Sequence, residues 1–430
     1  MPSSFLARAG ALAAALLLGT GPAALADPTV PPLEQVAGGG KCAAPSNTLF
    51  SGTPWPQKRL APQRVWPLTK GEGQLVAVVD SGVDAVPQFA GHVRPVVNIV
   101  SPSGKEADCL GHGTFVASLI AAQPREGTGF AGVAPGATIL PLRQTDSAGG
   151  SASAMAKAIV EAVDAGARVV NISATTFHSS EDLETAVRYA SQHDAVIVAS
   201  AANEAENGNP TAYPAAYPDV IAVSAIAADG SRGRFSETGD FVDLAAPGVD
   251  VVGLSAAGTG HVVAQGTSFA SPFVAGAAAL VRAYHPKLTA QQVKHRLEVT
   301  ADRPGTNVPD PRVGWGVVNP YAAVTAVLPE EFAGKSIVDD RQVVVPPPAL
   351  VAPDDPTRLV AMLSAAGAVL VIGVAWVLRG AVPRGRRRGW RSGGSTVPFV
   401  TNPTTATAET ALYKQTGREP SPPTFDRISK

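Results

Sequence analysis

The chain has 430 residues, enough for one large α/β domain with appendages or for two ordinary domains. Its hydrophobic content of 45% supplies a core, and its formal net charge of −1 gives no reason to expect nucleic-acid binding by the whole molecule. The two cysteines, Cys42 and Cys109, are too few for a disulfide scaffold or a zinc site but enough for one disulfide bond.

The first 26 residues have the pattern of a secretory signal peptide. Arg8 is their only charged residue, an apolar run follows at 12–18, and Ala24-Leu25-Ala26 matches the small-x-small cleavage pattern. The apolar run is too short to span a membrane. The sequence therefore predicts export of the chain.

Residues 27–72 form a proline-rich N-terminal extension with eight prolines and a glycine-rich stretch at 38–41. This composition favours an extended segment that lies on another part of the protein over a separate domain. Cys42 lies in this extension, and Cys109 lies in the domain that follows. Because export leads to an oxidising environment, we predict that these two cysteines are disulfide-bonded.

Between residues 73 and 328, short apolar runs alternate with longer stretches of helical character. The first run, at 74–80, is bounded by turn signals and has the length of a buried strand. Further strand-like runs lie at 138–142, 168–173, 195–201 and 220–225, and helix-like stretches lie at 151–166, 180–194 and 289–301. This alternation predicts an α/β domain with a doubly wound, mostly parallel sheet that helices cover on both faces.

Three residues at the ends of these elements have the composition of a nucleophilic triad. Asp80 ends the first strand, His112 stands between two glycines before an apolar helix, and Ser268 follows a glycine turn before another. Each residue alone is also typical of a structural role: an aspartate in a turn, a histidine packed in the fold, and a serine at a helix N-cap. Taken together in this chain order, they match a carboxylate that orients an imidazole, which in turn activates a serine hydroxyl.

The composition changes after this domain. Residues 329–357 form a proline-rich linker, 358–378 an apolar stretch long enough to cross a bilayer, and 379–430 a basic and then polar tail. Arginines cluster directly after the apolar stretch, whereas Asp354 and Asp355 precede it, so the positive-inside rule places the tail in the cytoplasm. The sequence thus predicts a single-pass cell-membrane protein whose domain is extracytoplasmic.

Six stretches of the domain resemble the subtilisin-like serine proteases, and the resemblance covers about residues 73 to 327 in the family's order. It implies a subtilisin-like fold and cleavage of peptide bonds. It also implies that Asp80 orients His112, that His112 is the general base and acid, and that Ser268 is the nucleophile. Asn203 aligns with the family's oxyanion-hole asparagine. The six stretches are DSGVD (80–84), HGTFVAS (112–118), GVAPGA (132–137), YPAAYPDVIAVSA (213–225), APGVDV (246–251) and GTSFASPFVAGAAAL (266–280).

The chain departs from the family's pattern near the site. Ala202 stands where the family usually has glycine before the oxyanion asparagine, which is tolerated if the backbone φ angle stays below zero. The substrate-pocket wall reads Ser173-Ala174-Thr175 instead of serine, a small residue and glycine, which predicts a modified and narrower cleft. Phe269 replaces the common methionine after the nucleophile, and we interpret it as a packing change.

The resemblance also bears on the extension. A subtilisin prodomain is a compact folded unit, whereas residues 27–67 are too short and too rich in proline to form one. We therefore expect the extension to remain with the active protein and to shape or partly cover the cleft.

The order of signal peptide, extension, catalytic domain, linker and single span resembles the mycosins, the membrane-anchored proteases of type VII secretion systems. This resemblance implies protein or peptide substrates and a type VII secretion membrane complex as partner.

The sequence predicts no cofactor and no essential metal, since it has no acidic cluster with calcium-ligand spacing. Two alternatives stay open: a generic surface-anchored degradative subtilase, and a mainly structural stabiliser of a membrane secretion complex.

Overall fold

The computed structural model describes residues 30–34, 42–100, 107–146, 150–305 and 307–332. Within these ranges, no helix combines the length and apolar character that a membrane crossing requires. The predicted signal peptide at 1–26, the apolar stretch at 358–378, the tail at 379–430 and nearly all of the linker lie outside the described residues.

A seven-stranded sheet forms the centre of the domain, with the strand order β2-β3-β1-β4-β5-β6-β7. Neighbouring strands in it run parallel. In β1, β4, β5, β6 and β7 every residue is buried, as expected for parallel strands covered on both faces. The predicted α/β fold with a mostly parallel sheet is therefore confirmed. The strands are β1 (Leu75–Asp80), β2 (Val97–Asn98), β3 (Thr138–Arg143), β4 (Val169–Ile172), β5 (Val196–Ser200), β6 (Val220–Ile226) and β7 (Leu244–Pro247).

Helices cover both faces of the sheet. Val76 and Val78 pack into one hydrophobic cluster with residues of α2 and α5, whereas Ala77 and Val79 pack into a second cluster with residues of α3 and α4. Successive side chains of a strand point to opposite faces, so β1 contributes to both clusters. The helices are α1 (Trp55–Leu60), α2 (His112–Ala121), α3 (Ala152–Asp164), α4 (Glu181–Gln192), α5 (Ser271–Tyr284), α6 (Ala290–Val299) and α7 (Pro320–Thr325).

The carboxyl ends of three adjacent strands position the candidate site. Asp80 is the last residue of β1, Ser173 directly follows β4, and Asn203 lies shortly after β5. Because β1, β4 and β5 are parallel neighbours, these residues reach the same edge of the sheet.

Part of the extension lies on an antiparallel hairpin beside the sheet. Leu33 N donates to Val263 O at 2.9 Å, and Val263 N donates to Pro31 O at 2.9 Å. The structure contains the predicted disulfide between Cys42 and Cys109, which are 67 positions apart in sequence. The extension is thus joined to the domain both covalently and through backbone hydrogen bonds. The hairpin strands are β8 (Val251–Leu254) and β9 (His261–Ala264).

The expectation of an extended segment is wrong for residues 55–64. This part contains α1 and a 3₁₀ turn at Pro62–Arg64. Pro56 lies in the first turn of α1, where the missing N–H would have no partner within the helix. Leu60 is buried, and Gln57 Nε2 donates to Ala131 O at 3.0 Å, so contacts with the domain stabilise the helix.

Candidate active site

Asp80 and His112 form a close pair. Asp80 ends β1 and is 3% exposed, and His112 is the first residue of α2. His112 Nδ1 lies 2.8 Å from Asp80 Oδ1 and 3.0 Å from Oδ2. A nearly buried carboxylate at Nδ1 orients the ring and stabilises its protonated form.

The glycines beside His112 permit this approach. A Cβ atom on Gly113 would lie 2.0 Å from the carbonyl oxygen of Gly82, so no larger residue fits between the start of α2 and the end of β1. Gly111 has φ +69°, a left-handed conformation that favours glycine. The sequence Gly-His-Gly is therefore what brings the imidazole to Asp80.

The pKa of His112 is raised above its ordinary value. Burial lowers this pKa, because it disfavours the charged ring. The negative charge of Asp80 and its hydrogen bond raise the pKa and outweigh the burial. The site thus favours the imidazolium that a general base becomes once it has accepted a proton.

Asp108 is a second buried carboxylate behind this pair, and the sequence analysis missed it. Its Oδ1 accepts from the Ser81 hydroxyl at 2.7 Å, and its Oδ2 accepts from Thr114 N and Oγ1 at 2.7 Å each. The same Ser81 hydroxyl lies 3.1 Å from Asp80 Oδ1. Burial raises the pKa of Asp108 to about 6, against the lowering by its hydrogen bonds. The available sequence signal was the position of this acidic residue, four residues before His112. From there its carboxylate can accept hydrogen bonds from N–H groups in the first turn of the helix.

Ser268 lies in a single 3₁₀ turn, Thr267–Phe269, ahead of α5. Its hydroxyl donates to Ser173 O at 3.1 Å, and the Ser173 hydroxyl donates to Ser268 O at 3.0 Å. The structural alternative, a helix N-cap, is wrong, since Ala270 occupies the N-cap position of α5. Among the described residues, the Ser268 hydroxyl is instead held only by the carbonyl oxygen of Ser173, which directly follows β4.

Asn203 is fixed by its amide oxygen. Oδ1 accepts from Thr267 N at 2.9 Å and from Thr267 Oγ1 at 3.0 Å. The side chain is exposed at the cleft, and its Nδ2 makes no hydrogen bond to another described residue. The anchored oxygen therefore leaves the amide nitrogen as a donor for a ligand beside Ser268.

These four residues line one cleft of about 830 Å³. Asp80, His112, Asn203 and Ser268 come from four separate parts of the chain and meet there as the sequence predicts. In chemical terms, the cleft combines a hydroxyl, an oriented imidazole and an amide donor, the groups needed for acyl transfer.

Residues 71–316 match the sequence model of the Subtilase family. The chain belongs to the subtilase family. It is 38% identical over 286 residues to "Thermophilic serine proteinase" of a Bacillus species, a match covering 65% of this chain and 69% of that protein. It is 32% identical over 404 residues to "Mycosin-1" of Mycolicibacterium smegmatis, covering 80% of this chain and 88% of that protein.

Solved structures agree with this assignment. The structure of "a serine protease MycP1, an essential component of the type VII (ESX-1) secretion system" superposes with a TM-score of 0.60 at 34% identity. The match covers 70% of this chain and 96% of that one. The chain is thus a subtilisin-like serine protease similar to the mycosins.

The backbone φ angle of Ala202 does not meet the condition for tolerating alanine at this position, which is a value below zero. Its φ angle is +79°, in the left-handed region, where a Cβ atom costs about 1–2 kcal/mol. The residue is buried, and its carbonyl accepts from Glu237 N at 3.2 Å. The fold therefore imposes on alanine the conformation for which the family's glycine is suited, directly before Asn203.

The predicted pocket wall is present in part. Ala174 lines the cleft, and buried Ser173 is tied to Ser268 by the two hydrogen bonds described above. Asn171 Nδ2 donates to the Ser173 hydroxyl at 2.9 Å and fixes it from the strand side. Thr175 is not among the residues that line the cleft within the described structure.

Phe269 packs on the imidazole ring of His112 in this subtilase. Its ring centroid lies 5.0 Å from that of His112 and 4.6 Å from that of Phe115. Phe269 is 5% exposed, so it joins the turn at Thr267–Phe269 to α2 through buried apolar contacts.

Proposed function

We propose that Asp80, His112 and Ser268 are the catalytic triad of this serine endopeptidase and that Asn203 completes its oxyanion hole. The observation that carries this proposal is the contact of His112 Nδ1 with the buried Asp80 carboxylate, in the cleft that also contains Ser268. With Nδ1 held in this way, Nε2 is the ring nitrogen that takes up a proton.

The first half of the reaction acylates the serine. Rotation of the Ser268 side chain away from Ser173 O directs its hydroxyl to His112 Nε2. The imidazole takes the hydroxyl proton as Ser268 Oγ attacks the substrate carbonyl carbon, and Asp80 stabilises the imidazolium that results. The amide of Asn203 and the backbone N–H of Ser268 donate to the oxyanion of the tetrahedral intermediate.

The second half releases both products. The imidazolium gives its proton to the departing amine, the peptide bond breaks, and the acyl group stays on Ser268. A water molecule then loses a proton to His112, attacks the acyl carbonyl and yields the carboxylic acid product. The proton returns to Ser268 Oγ, which restores the free enzyme.

We infer further that the enzyme acts outside the cytoplasm as a membrane-anchored protease of a type VII secretion system. The match to Mycosin-1 extends over 80% of the chain, whereas residues 71–316 contain the family domain, so the likeness continues beyond that domain. The predicted signal peptide and the apolar stretch at 358–378 agree with such an anchored topology.

A complementation experiment tests this role. Cells that lack the gene receive either the wild-type chain or Ser268→Ala, and the processing and secretion of type VII substrates are followed by mass spectrometry. We expect substrate processing with the wild-type chain alone. Equal processing with Ser268→Ala would contradict the catalytic role, and unchanged secretion in cells without the gene would contradict the type VII assignment.

A further inference from the structure

Carboxylates from three separate segments line the cleft around the triad. Glu34 belongs to the N-terminal extension, Glu204 directly follows the proposed oxyanion asparagine, and Asp250 precedes β8. Asp80 is a fourth carboxylate, and the described lining contains no lysine or arginine. Segments that are remote in sequence therefore give this one cleft a negative charge.

These three carboxylates are not neutralised by neighbouring bases. Glu34 and Asp250 are exposed and Glu204 is half-buried, and none of them forms an ion pair with a described lysine or arginine. Outside the cleft lining, by contrast, Glu206 pairs with Arg234 at 3.1 Å. The charges in the cleft are consequently available to a ligand.

A buried amide in the same cleft also lacks a partner. Gln144 is 2% exposed and lines the cleft, and neither its Nε2 nor its Oε1 has a hydrogen-bond partner in the described structure. A buried amide without partners is unfavourable, and a ligand with complementary groups removes that penalty. The oxygen can accept from a cationic side chain, and the nitrogen can donate to a peptide carbonyl. This observation, independent of the carboxylates, indicates a cleft made for a polar ligand.

The extension contributes Glu34 to the cleft through a defined support. Backbone hydrogen bonds between Leu33 and Val263 hold the segment at 30–34 on β9. From the end of β9 the chain continues through Gln265 into the turn that carries Ser268. Glu34 is therefore placed by the same strand that leads to the nucleophile.

We infer that this cleft selects peptides with lysine or arginine side chains near the scissile bond. The inference rests on the proposed function and names its substrate class. A unit charge about 6 Å from a carboxylate in water changes relative binding roughly threefold. Three carboxylates together favour a lysine peptide over its glutamate counterpart by about tenfold or more at low salt. This preference falls with added salt, because the Debye length shortens from about 30 Å at 0.01 M to about 3 Å at 1 M.

The test uses the full-length enzyme in detergent and a fluorogenic peptide built around a bond that it cuts in denatured casein. Lysine, glutamine or glutamate is placed at each position on either side of that bond, and kcat/KM is measured for every peptide at low and high salt. The Lys:Glu ratio of kcat/KM is compared between the wild type and the Glu34→Gln/Glu204→Gln/Asp250→Asn variant. Because the ratio is taken within one preparation, partial misfolding of a variant cancels.

A matched control removes three exposed carboxylates from α4, with the changes Glu181→Gln, Asp182→Asn and Glu184→Gln. We expect a Lys:Glu ratio of about ten or more for the wild type and the control, a several-fold lower ratio for the cleft variant, and a lower wild-type ratio at high salt. Equal rates for lysine and glutamate peptides, or a ratio unchanged in the cleft variant, would overturn the inference while the protease function stands. Failure of the wild type to cleave casein or any peptide would instead overturn the proposed function, and the inference with it.

Discussion

The Cys42–Cys109 disulfide stabilises the folded domain, and its removal has a calculable effect. The two cysteines are 67 positions apart in sequence, and the loop between them contains α1 and β1. In the chain-entropy model, closing a loop of this length removes unfolded-state entropy worth about 4 kcal/mol at 25 °C. Because β1 belongs to the central sheet, the residues of this loop become disordered only when the whole domain unfolds. The stabilisation by the disulfide therefore applies to global unfolding.

The same change should leave most of the activity intact. Asp108, next to Cys109, keeps its hydrogen bonds to Ser81 and Thr114, and these still hold the first turn of α2 against β1. We therefore expect Cys42→Ser/Cys109→Ser to reduce the free energy of unfolding by about 4 kcal/mol and kcat/KM at 25 °C by less than about threefold.

Stability is best measured by guanidinium unfolding in a Ser268→Ala background, where self-cleavage does not interfere, with tryptophan fluorescence and circular dichroism as probes. Activity is measured in the active background. A loss of stability below about 1 kcal/mol would refute the loop-closure reasoning. A loss of activity in a protein that is still folded would show that the disulfide, and not Asp108, holds α2 in place.

Four further predictions concern the site and the extension. Ser268→Ala should lower kcat by about 10⁶-fold without a change in the unfolding midpoint. His112→Ala should lower kcat by about as much, because triad members act together. Residual turnover by purified Ser268→Ala would contradict the role of Ser268 as nucleophile. Asn203→Ala should lower kcat by about 10²–10³-fold with little change in KM, and an effect confined to KM would count against an oxyanion role. Since the pKa of His112 is raised and only the neutral ring acts as a base, kcat/KM should fall as the pH drops through a midpoint above 6.5. Asp80→Asn should move that midpoint to lower pH. An unmoved midpoint would contradict the pairing of Asp80 with His112. Intact-mass analysis of active protein should find residues 27–67 still attached, and a requirement for their removal would identify a conventional propeptide.

The strands of the sheet differ in how far the sequence predicts them. β1, β3, β4, β5 and β6 are apolar runs with turn signals, and each was predicted close to its observed bounds. β2 has two half-buried residues, Val97 and Asn98, too few for a pattern. β7, Leu244–Pro247, ends in a proline at the edge of the sheet and resembles a loop in sequence. Both are strands because neighbours in the sheet pair with them, which is tertiary information.

The residues of the candidate site also differ in how far the sequence predicts them. Asp80, His112 and Ser268 stand beside glycines or at element ends, and their residue types and chain order predict a triad from the sequence alone. The position of Asp108, four residues before His112, is only a weak sequence signal, because its burial and its hydrogen bonds to Ser81 and Thr114 become visible only in the folded chain. Ala202 has a left-handed φ angle, which the family's glycine at this position suggests and an alanine by itself does not.

Covalent labelling of the nucleophile tests the central claim most directly. The full-length protein is treated with a fluorophosphonate probe that reacts with activated serine hydroxyls, and the modified residue is located by peptide mass spectrometry. The proposed triad predicts one adduct, on Ser268, that forms in the wild type, is absent in Ser268→Ala and is greatly slowed in His112→Ala. An unlabelled wild-type protein, an adduct on a different serine, or labelling of Ser268 at an unchanged rate in His112→Ala would contradict it.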